Sequence, residues 1–418
     1  MVCGLLVLVG FNLRSVILGV PPVLPLIRRD LGLSYTATGL LTSLPVLVMG
    51  GLAWPAGVAA GRLGGRATAA LGLVLLTASG VVRAIWPSAL VLYAFTAVLS
   101  LGVALAQTAV PVLSRQWFPS RIGFVSALFS NGLIIGEAAA AGLTTQMMAA
   151  WFGRDGWRAT FVAWSVPVAA TAILWLALAP ASPPTIVAAS RHNGGRAHPR
   201  GGGTGRSAGR RVHPLHIGVL LGMGSLVFFG MNGWIASYDQ AIARADMTPV
   251  ALSVLNVAQL PVSLTMTIFA QRLAGRRWPF VVAGAVTLAA IAGWLLTPAG
   301  LQPVWAALLG GSSAFVFVLG IALPALLARP GEVARLSGIT LTLSYGVAFV
   351  GPLCGGALWD LTRLPGMAFA PIALAGVCLI TLGALLPRRE AFGLPGAAPE
   401  ADVQAAEAGA TAAGAARP

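Results

Sequence analysis

Long apolar runs follow one another along the whole chain, each about as long as a helix that crosses a bilayer. Short polar stretches separate them. Within a run the apolar residues are continuous rather than alternating, which argues against the strands of a transmembrane β-barrel. The pattern therefore predicts an all-α membrane protein. Its twelve transmembrane helices are centred near Arg14, Met49, Leu76, Gly102, Ile134, Pro167, Phe228, Leu260, Ala290, Phe315, Gly346 and Gly376.

The composition and the arginine distribution add an orientation. Of the 418 residues, 57% are hydrophobic and 9% are charged, whereas a soluble domain carries about 25% charged residues. The net charge of +15 comes from arginines grouped in loops, without the basic helix or aromatic platform of a nucleic-acid-binding protein. Seventeen arginines fall in loops on one side of the predicted membrane and six on the other. The positive-inside rule then places both termini in the cytoplasm.

A polar segment divides the predicted helices into two sets of six. Residues 181–214 are rich in Gly, Pro, Ser and Arg and lack an apolar period, so we expect a flexible cytoplasmic linker there. Residues 1–180 and 215–388 would form the two helical bundles. The low-complexity tail, residues 389–418, is expected to be disordered.

The two sets of helices share short sequence motifs at equivalent positions. "AAGRLGGR" closes the second helix at residues 59–66, and "FAQRLAGR" closes the eighth at residues 269–276. A weaker echo joins "SNGLIIG" in the fifth helix to "SYGVAFVG" in the eleventh. Parallel repeats of six helices are typical of transporters that expose a central site alternately to each side.

These features resemble the major facilitator superfamily over residues 1–388. The family's loop after the second helix carries Gly-x-Leu-Ala-Asp-Arg-x-Gly-Arg-Arg, and "GVAAGRLGGR" is similar to it, although Gly61 replaces the aspartate. In the family this carboxylate belongs to a charge cluster that locks the cytoplasmic side, so the resemblance implies a weaker or different lock here. The positions that the resemblance assigns to this conformational loop motif are Gly57, Arg62, Gly64, Arg66, Arg272 and Arg276.

The first helix resembles one branch of that family. "FNLRSVILGVPPVLPLIRRDLGLS" is similar to the opening of cyanate permeases and nitroimidazole transporters, as are "GVALAQTAVPVLSRQWFP" and "GWRATFVAW" later in the chain. The resemblance implies a small substrate, often anionic or nitro-bearing.

Ionisable residues inside the predicted helices are candidates for function because each costs about 2.5–3.5 kcal/mol to place at a helix centre. Arg14 is the most central cation, and its planar guanidinium suits a small anion, with an internal ion pair as the alternative. Glu137 could pair with Arg14, or bind a proton for coupling because burial disfavours its charged form. Arg83 and Asp239 lie near helix ends. We expect Arg83 to extend to the lipid headgroups and Asp239 to act as an interfacial cap or gate.

Neutral polar residues are the remaining candidates for substrate contacts. Gln107, Asn232, Gln259 and Tyr345 lie in the fourth, seventh, eighth and eleventh helices. Polar packing between helices is the alternative for each of them. Cys3, Cys354 and Cys378 have no paired spacing, and the histidines match no ligand motif, so no metal site and no cofactor are predicted.

Together these observations favour a multi-pass secondary transporter that works as a monomer in a bacterial inner (plasma) membrane. Its substrate would be a small anion or a nitro-heteroaromatic compound, moved by alternating access with or without proton coupling. A proton-coupled multidrug exporter of the same fold is the alternative, although an unpaired central arginine disfavours cationic cargo. A membrane-embedded enzyme is remote, because the chain contains neither HExxH nor paired carboxylates nor a nucleotide-binding loop.

Overall fold

The computed structural model describes residues 2–86, 88–118, 122–147, 156–180, 214–273, 276–327 and 333–386. Within these ranges the regular structure is entirely helical. Twelve helical segments, numbered in chain order, are α1 (Val2–Leu18, continued by Leu24–Leu31), α2 (Tyr35–Leu63), α3 (Gly65–Ile85), α4 (Ala89–Trp117), α5 (Ile122–Met147), α6 (Gly156–Leu178), α7 (Pro214–Ala241), α8 (Thr248–Val257, continued by Gln259–Leu273), α9 (Trp278–Leu296), α10 (Gln302–Leu327), α11 (Val333–Thr362) and α12 (Ala370–Leu385).

The predicted fold class is confirmed. Among the described residues, eleven helices are long and apolar enough to cross a membrane. The remaining segment, α5, contains a shorter apolar stretch, Leu128–Thr144. The proposed bundle boundaries stay a prediction, since residues 181–213 of the linker and 387–418 of the tail lie outside the described residues.

Two helices are interrupted at prolines. In α1 a 3-10 turn, Pro21–Val23, separates the two pieces. In α8 the interruption is at Ala258, three residues before Pro261. Proline has no N–H to donate to the preceding turn, so both breaks follow from the sequence. They matter because the α8 break lies beside Gln259, one of the predicted substrate contacts.

Two ends of the bundle are distinguished by their connections. The linker end is the end at which α2 meets α3, α6 ends and α7 begins. The distal end is the opposite one, and it carries the turns at residues 31–35 and 241–248. The turn between α2 and α3 requires a glycine, since Gly64 has φ 84°.

Glycines bring α5 against α1. A Cβ atom at Gly136 would overlap the carbonyl oxygen of Phe11, and one at Gly132 would overlap that of Val7. The backbones of α1 and α5 can approach this closely only because both positions lack a side chain. Glu137 follows Gly136 directly, so this packing fixes its position relative to α1.

Candidate functional site

A cavity of about 330 Å³ lies near the centre of the helical assembly. The first six helices contribute α1 and α5, and the last six contribute α7, α8, α10 and α11. The residues that line it are Arg14, Ser130, Leu133, Ile134, Glu137, Gly224, Ser225, Phe228, Phe229, Gln259, Ser263, Ser313, Ala314, Phe317, Val318 and Tyr345. A site built from both sets of helices can change shape when the sets move relative to each other.

An ion pair forms the polar part of this cavity. Nε of Arg14 lies 3.2 Å from Oε1 of Glu137, and the two side chains are 13% and 6% exposed. The other carboxylate oxygen, Oε2, accepts a hydrogen bond of 3.4 Å from Nε2 of Gln259. Glu137 therefore connects α5 to α1 in the first set of helices and to α8 in the second.

The guanidinium of Arg14 retains unused hydrogen-bonding capacity. Its Nε and Nη1 atoms are buried, and neither has a hydrogen-bond partner among the described residues. Nε of Arg14 and Oε1 of Glu137 thus form an ion pair, but their geometry is not that of a hydrogen bond. A buried donor without a partner costs roughly 1–3 kcal/mol, so a ligand that accepts hydrogen bonds from Arg14 would remove that cost.

The apolar wall of the cavity is largely aromatic. Phe228 and Phe229 pack edge to face with ring centroids 5.1 Å apart and an interplanar angle of 73°. Phe317 and Tyr345 line the same space. A charged group at one side and π-faces at the others suit a small or flat ligand that has a polar and an apolar part.

A wider vestibule of about 800 Å³ lies on the linker side of this cavity. It is formed by α2, α4, α5 and α11, and it shares Ser130 and Tyr345 with the central cavity. Gln107 lines the vestibule. The structure thus brings Arg14, Glu137, Gln259 and Tyr345 together but places Gln107 outside that group.

Asn232 also lies away from the central cavity. Its side chain is buried, its Nδ2 donates to the carbonyl of Phe228 at 3.1 Å, and its Oδ1 accepts from Nδ2 of Asn256 at 2.9 Å. This is the polar packing between helices that the sequence left open as an alternative. Asn232 instead lines a small cavity on the distal side of Phe229.

The conformational loop motif lies at the linker end. Gly57 and Arg62 are exposed there, while Nη2 of Arg66 donates to the carbonyl of Leu176 at 2.8 Å. Neither arginine forms an ion pair with a carboxylate in the described ranges. Arg276 begins the described segment that leads into α9, and the side chain of Arg272 lies outside the described residues.

At the distal end, contacts that sequence reasoning missed join α2 to α11. The carboxylate of Asp360 accepts hydrogen bonds from the backbone N–H groups of Tyr35 and Thr36 at 3.0 and 2.7 Å, and from the Thr36 hydroxyl at 2.6 Å. The rings of Tyr35 and Trp359 stack 3.8 Å apart. We call these four residues the distal clasp. In the sequence, Asp360 is an aspartate near the end of a helix. Many residues at a membrane interface share that pattern, so it does not predict a contact with α2.

One expectation about these charged residues was wrong, and the other stays a prediction. Arg83 does not extend to the headgroups, because its side chain is only 2% exposed. Asp239 is fully buried, and its carboxylate accepts hydrogen bonds from Thr248 and Gln302 at 3.0 and 3.1 Å. Both partners lie at the start of a helix at the distal end, so the role of Asp239 as a cap or gate stays a prediction. Helix-end position alone did not show that neighbouring helices cover both side chains.

Comparisons with known proteins place this arrangement among transporters. The family described as Major Facilitator Superfamily matches residues 1–352. The cyanate transport protein CynX of Escherichia coli (strain K12) is 25% identical over 382 residues, which cover 90% of this chain and 95% of that protein. The 2-nitroimidazole transporter of the same organism is 26% identical over 388 residues, covering 90% and 94%. A crystal structure of a D-xylose-proton symporter superposes with a TM-score of 0.72 at 15% identity, covering 92% and 96%.

Proposed function

This chain belongs to the major facilitator superfamily and is a membrane transporter rather than an enzyme, and we propose that it carries a small anion on Arg14 by alternating access. The observation that carries the proposal is the guanidinium of Arg14 in the central cavity. It faces one carboxylate and keeps two donor atoms without hydrogen-bond partners among the described residues. A planar cation in this situation suits a bound anion.

Glu137 determines when that anion can bind. While its carboxylate is ionised, the pair with Arg14 at 3.2 Å is electrically neutral. An entering anion would face the negative charge of Glu137 at close range. Protonation of Glu137 removes that repulsion and leaves Arg14 to the anion. Proton and anion would then move together, which makes Glu137 the proposed coupling residue.

The cavity favours small substrates within this class. Its volume of about 330 Å³ is near the lower limit of ligand pockets, which run from about 300 to 1,000 Å³. The aromatic wall supports a flat, partly apolar anion as well as an inorganic one. The names of the two relatives indicate cyanate, which is a small inorganic anion, and 2-nitroimidazole, which is a flat aromatic compound with a polar nitro group. Cyanate matches the cation of Arg14, and 2-nitroimidazole matches the aromatic wall.

The arrangement corresponds to one state of the transport cycle. The vestibule leads from the central cavity towards the linker end, whereas the distal clasp joins α2 and α11 at the opposite end. If the linker end is cytoplasmic, as the arginine distribution predicts, this is the inward-facing state of a protein in a bacterial inner membrane.

Substrate-dependent thermal stabilisation of purified protein tests the proposal. We expect cyanate or a related small anion to raise the melting temperature of the wild type but not of Arg14→Ala. Arg14→Lys keeps the positive charge but loses the planar guanidinium, which can donate two hydrogen bonds to one anion. The apparent Kd of this variant for the anion should therefore rise by about tenfold, the equivalent of one charge-assisted hydrogen bond. Arg158→Ala is the matched control, because Arg158 pairs with Asp30 outside the cavity.

Two outcomes would contradict the proposal. One is normal stabilisation of Arg14→Ala by the anion. The other comes from uptake into proteoliposomes, screened over cyanate, nitrate, small carboxylates and nitroimidazoles with and without a pH gradient. Transport of organic cations such as ethidium, with none of these substrates moved, would favour the multidrug exporter instead.

A further inference from the structure

A second buried arginine lies on the distal side of the central cavity. Arg83 is in the last turn of α3 and is 2% exposed. Its Nη1 donates to Oγ1 of Thr96 at 3.3 Å, and its Cζ lies 4.5 Å from the centre of the Phe161 ring. Within the described ranges no carboxylate lies within 4.0 Å of it, and its Nε is buried without a hydrogen-bond partner. Among the described residues, the charge is therefore stabilised by one hydroxyl and one π-face.

The guanidinium borders a small cavity of about 20 Å³, enough for roughly one water molecule. The residues that line it come from both sets of helices and include Ile17, Thr96 and Phe161 from the first set and Phe229 and Asn232 from the second. Because α7 closes one side and the first six helices close the others, the cavity would widen when the two sets separate at the distal end.

This cavity is adjacent to the central one. Phe229 lines both spaces, so the two cavities meet at this residue. On α1, Ile17 lies three residues beyond Arg14, which is about 5 Å along the helix axis. A substrate leaving Arg14 towards the distal end would thus meet the Arg83 cavity after passing Phe229.

We propose that Arg83 is a second binding station for the transported anion, occupied when the distal end is open. The inference rests on the proposed function, since both stations would serve the same small anion. Burying an arginine without a carboxylate partner is costly. An anion that enters the cavity in another conformational state would pair with Arg83 and offset that cost. Asn232, from α7, is the only residue with a side-chain amide among those that line the cavity, and in this structure the amide bonds to Phe228 and Asn256.

A structural role makes a different prediction. If Arg83 serves only to anchor α3 to α4 and α6 through Thr96 and Phe161, its removal should lower stability and leave affinity unchanged. If it is a binding station, Arg83→Met should fold and melt at or above the wild-type temperature, because methionine fills similar space against Phe161 without a buried charge. Arg83→Lys keeps the charge and tests the guanidinium geometry.

The experiment measures the KM for radiolabelled cyanate at each face, using right-side-out and everted membrane vesicles whose orientation is established by cysteine labelling. For Arg83→Met we expect KM at the distal face to rise by about tenfold or more, the loss typical of a charge-assisted hydrogen bond. KM at the linker face should stay within about twofold of the wild type. Arg83→Lys should show a smaller rise at the distal face, and Arg158→Ala none at either face.

Unchanged KM at both faces in a variant that folds would overturn the second station, as would an equal rise at both faces. Should Arg83→Met fail to fold, Arg83→Lys decides by the same criterion. The two proposals fail separately. A wild type that transports no anion refutes the proposed function, whereas wild-type transport with symmetric effects of Arg83 variants refutes the second station alone.

Discussion

Asp360→Asn should open the distal end of the transporter. The first N–H groups of a helix have no partner within that helix. In α2, Ser34 accepts a hydrogen bond from the N–H of Ala37, while Asp360, from α11, accepts from the N–H groups of Tyr35 and Thr36. One helical half of the protein therefore caps a helix of the other. Breaking this cap weakens a contact between halves.

The size of the effect follows from the contacts. Asparagine keeps one oxygen acceptor but loses the negative charge, and its amide group cannot accept the second backbone hydrogen bond. A charge-assisted hydrogen bond is worth about 1.5–3 kcal/mol, and an anion near a helix N-terminus about 0.3–1 kcal/mol. Asp360 is only partly buried, so solvent reduces both contributions. We expect a loss of about 1–2 kcal/mol, which changes the ratio of distal-closed to distal-open protein by about 5- to 30-fold.

Spin-label distance measurements across the distal end provide the assay. The native cysteines are replaced, and labels are placed at two exposed positions, Arg29 on α1 and Leu361 on α11. Asp360→Asn should increase the population of the longer distance. Asp30→Asn is the matched control, because Asp30 lies at the same end but pairs with Arg158 and Trp157 inside the first set of helices. An unchanged distance distribution in Asp360→Asn, or an equal shift in the control, would refute the reasoning.

Three further predictions concern coupling, orientation and packing. Glu137→Gln, which mimics the protonated carboxyl, should keep substrate exchange in proteoliposomes but lose accumulation driven by a pH gradient; unchanged accumulation would exclude coupling through this residue. A cysteine at Arg196 should react with an impermeant reagent only in everted vesicles and one at Arg154 only on intact cells, and the opposite result would reverse the orientation. Gly136→Ala should lower the free energy of unfolding by about 1–3 kcal/mol because its Cβ overlaps the Phe11 backbone; in thermal melts Gly4→Ala, with open space at its Cβ, should have little effect.

The helices and the family were already determined by the sequence. Lipid cannot satisfy backbone hydrogen bonds, so each apolar run of sufficient length must be helical wherever it lies in the bundle. The resemblance to cyanate and nitroimidazole transporters likewise rested on contiguous motifs and needed no knowledge of packing. Arg14 and Glu137 could be proposed as partners because charge inside a membrane is costly and few charges were available.

Which polar residues share a site was decided by the tertiary structure. Gln259 reaches Glu137, but Asn232 pairs with Asn256 and Gln107 faces the vestibule, although all three had the same polar character in the sequence. Helical periodicity gives the face of a helix on which a side chain lies, yet not which helix or cavity that face meets. Asp360 and Tyr35 are 325 residues apart in the chain, and Arg83 is buried by α4 and α6. Their roles depend on contacts between helices, and the local sequence does not specify which helices come into contact.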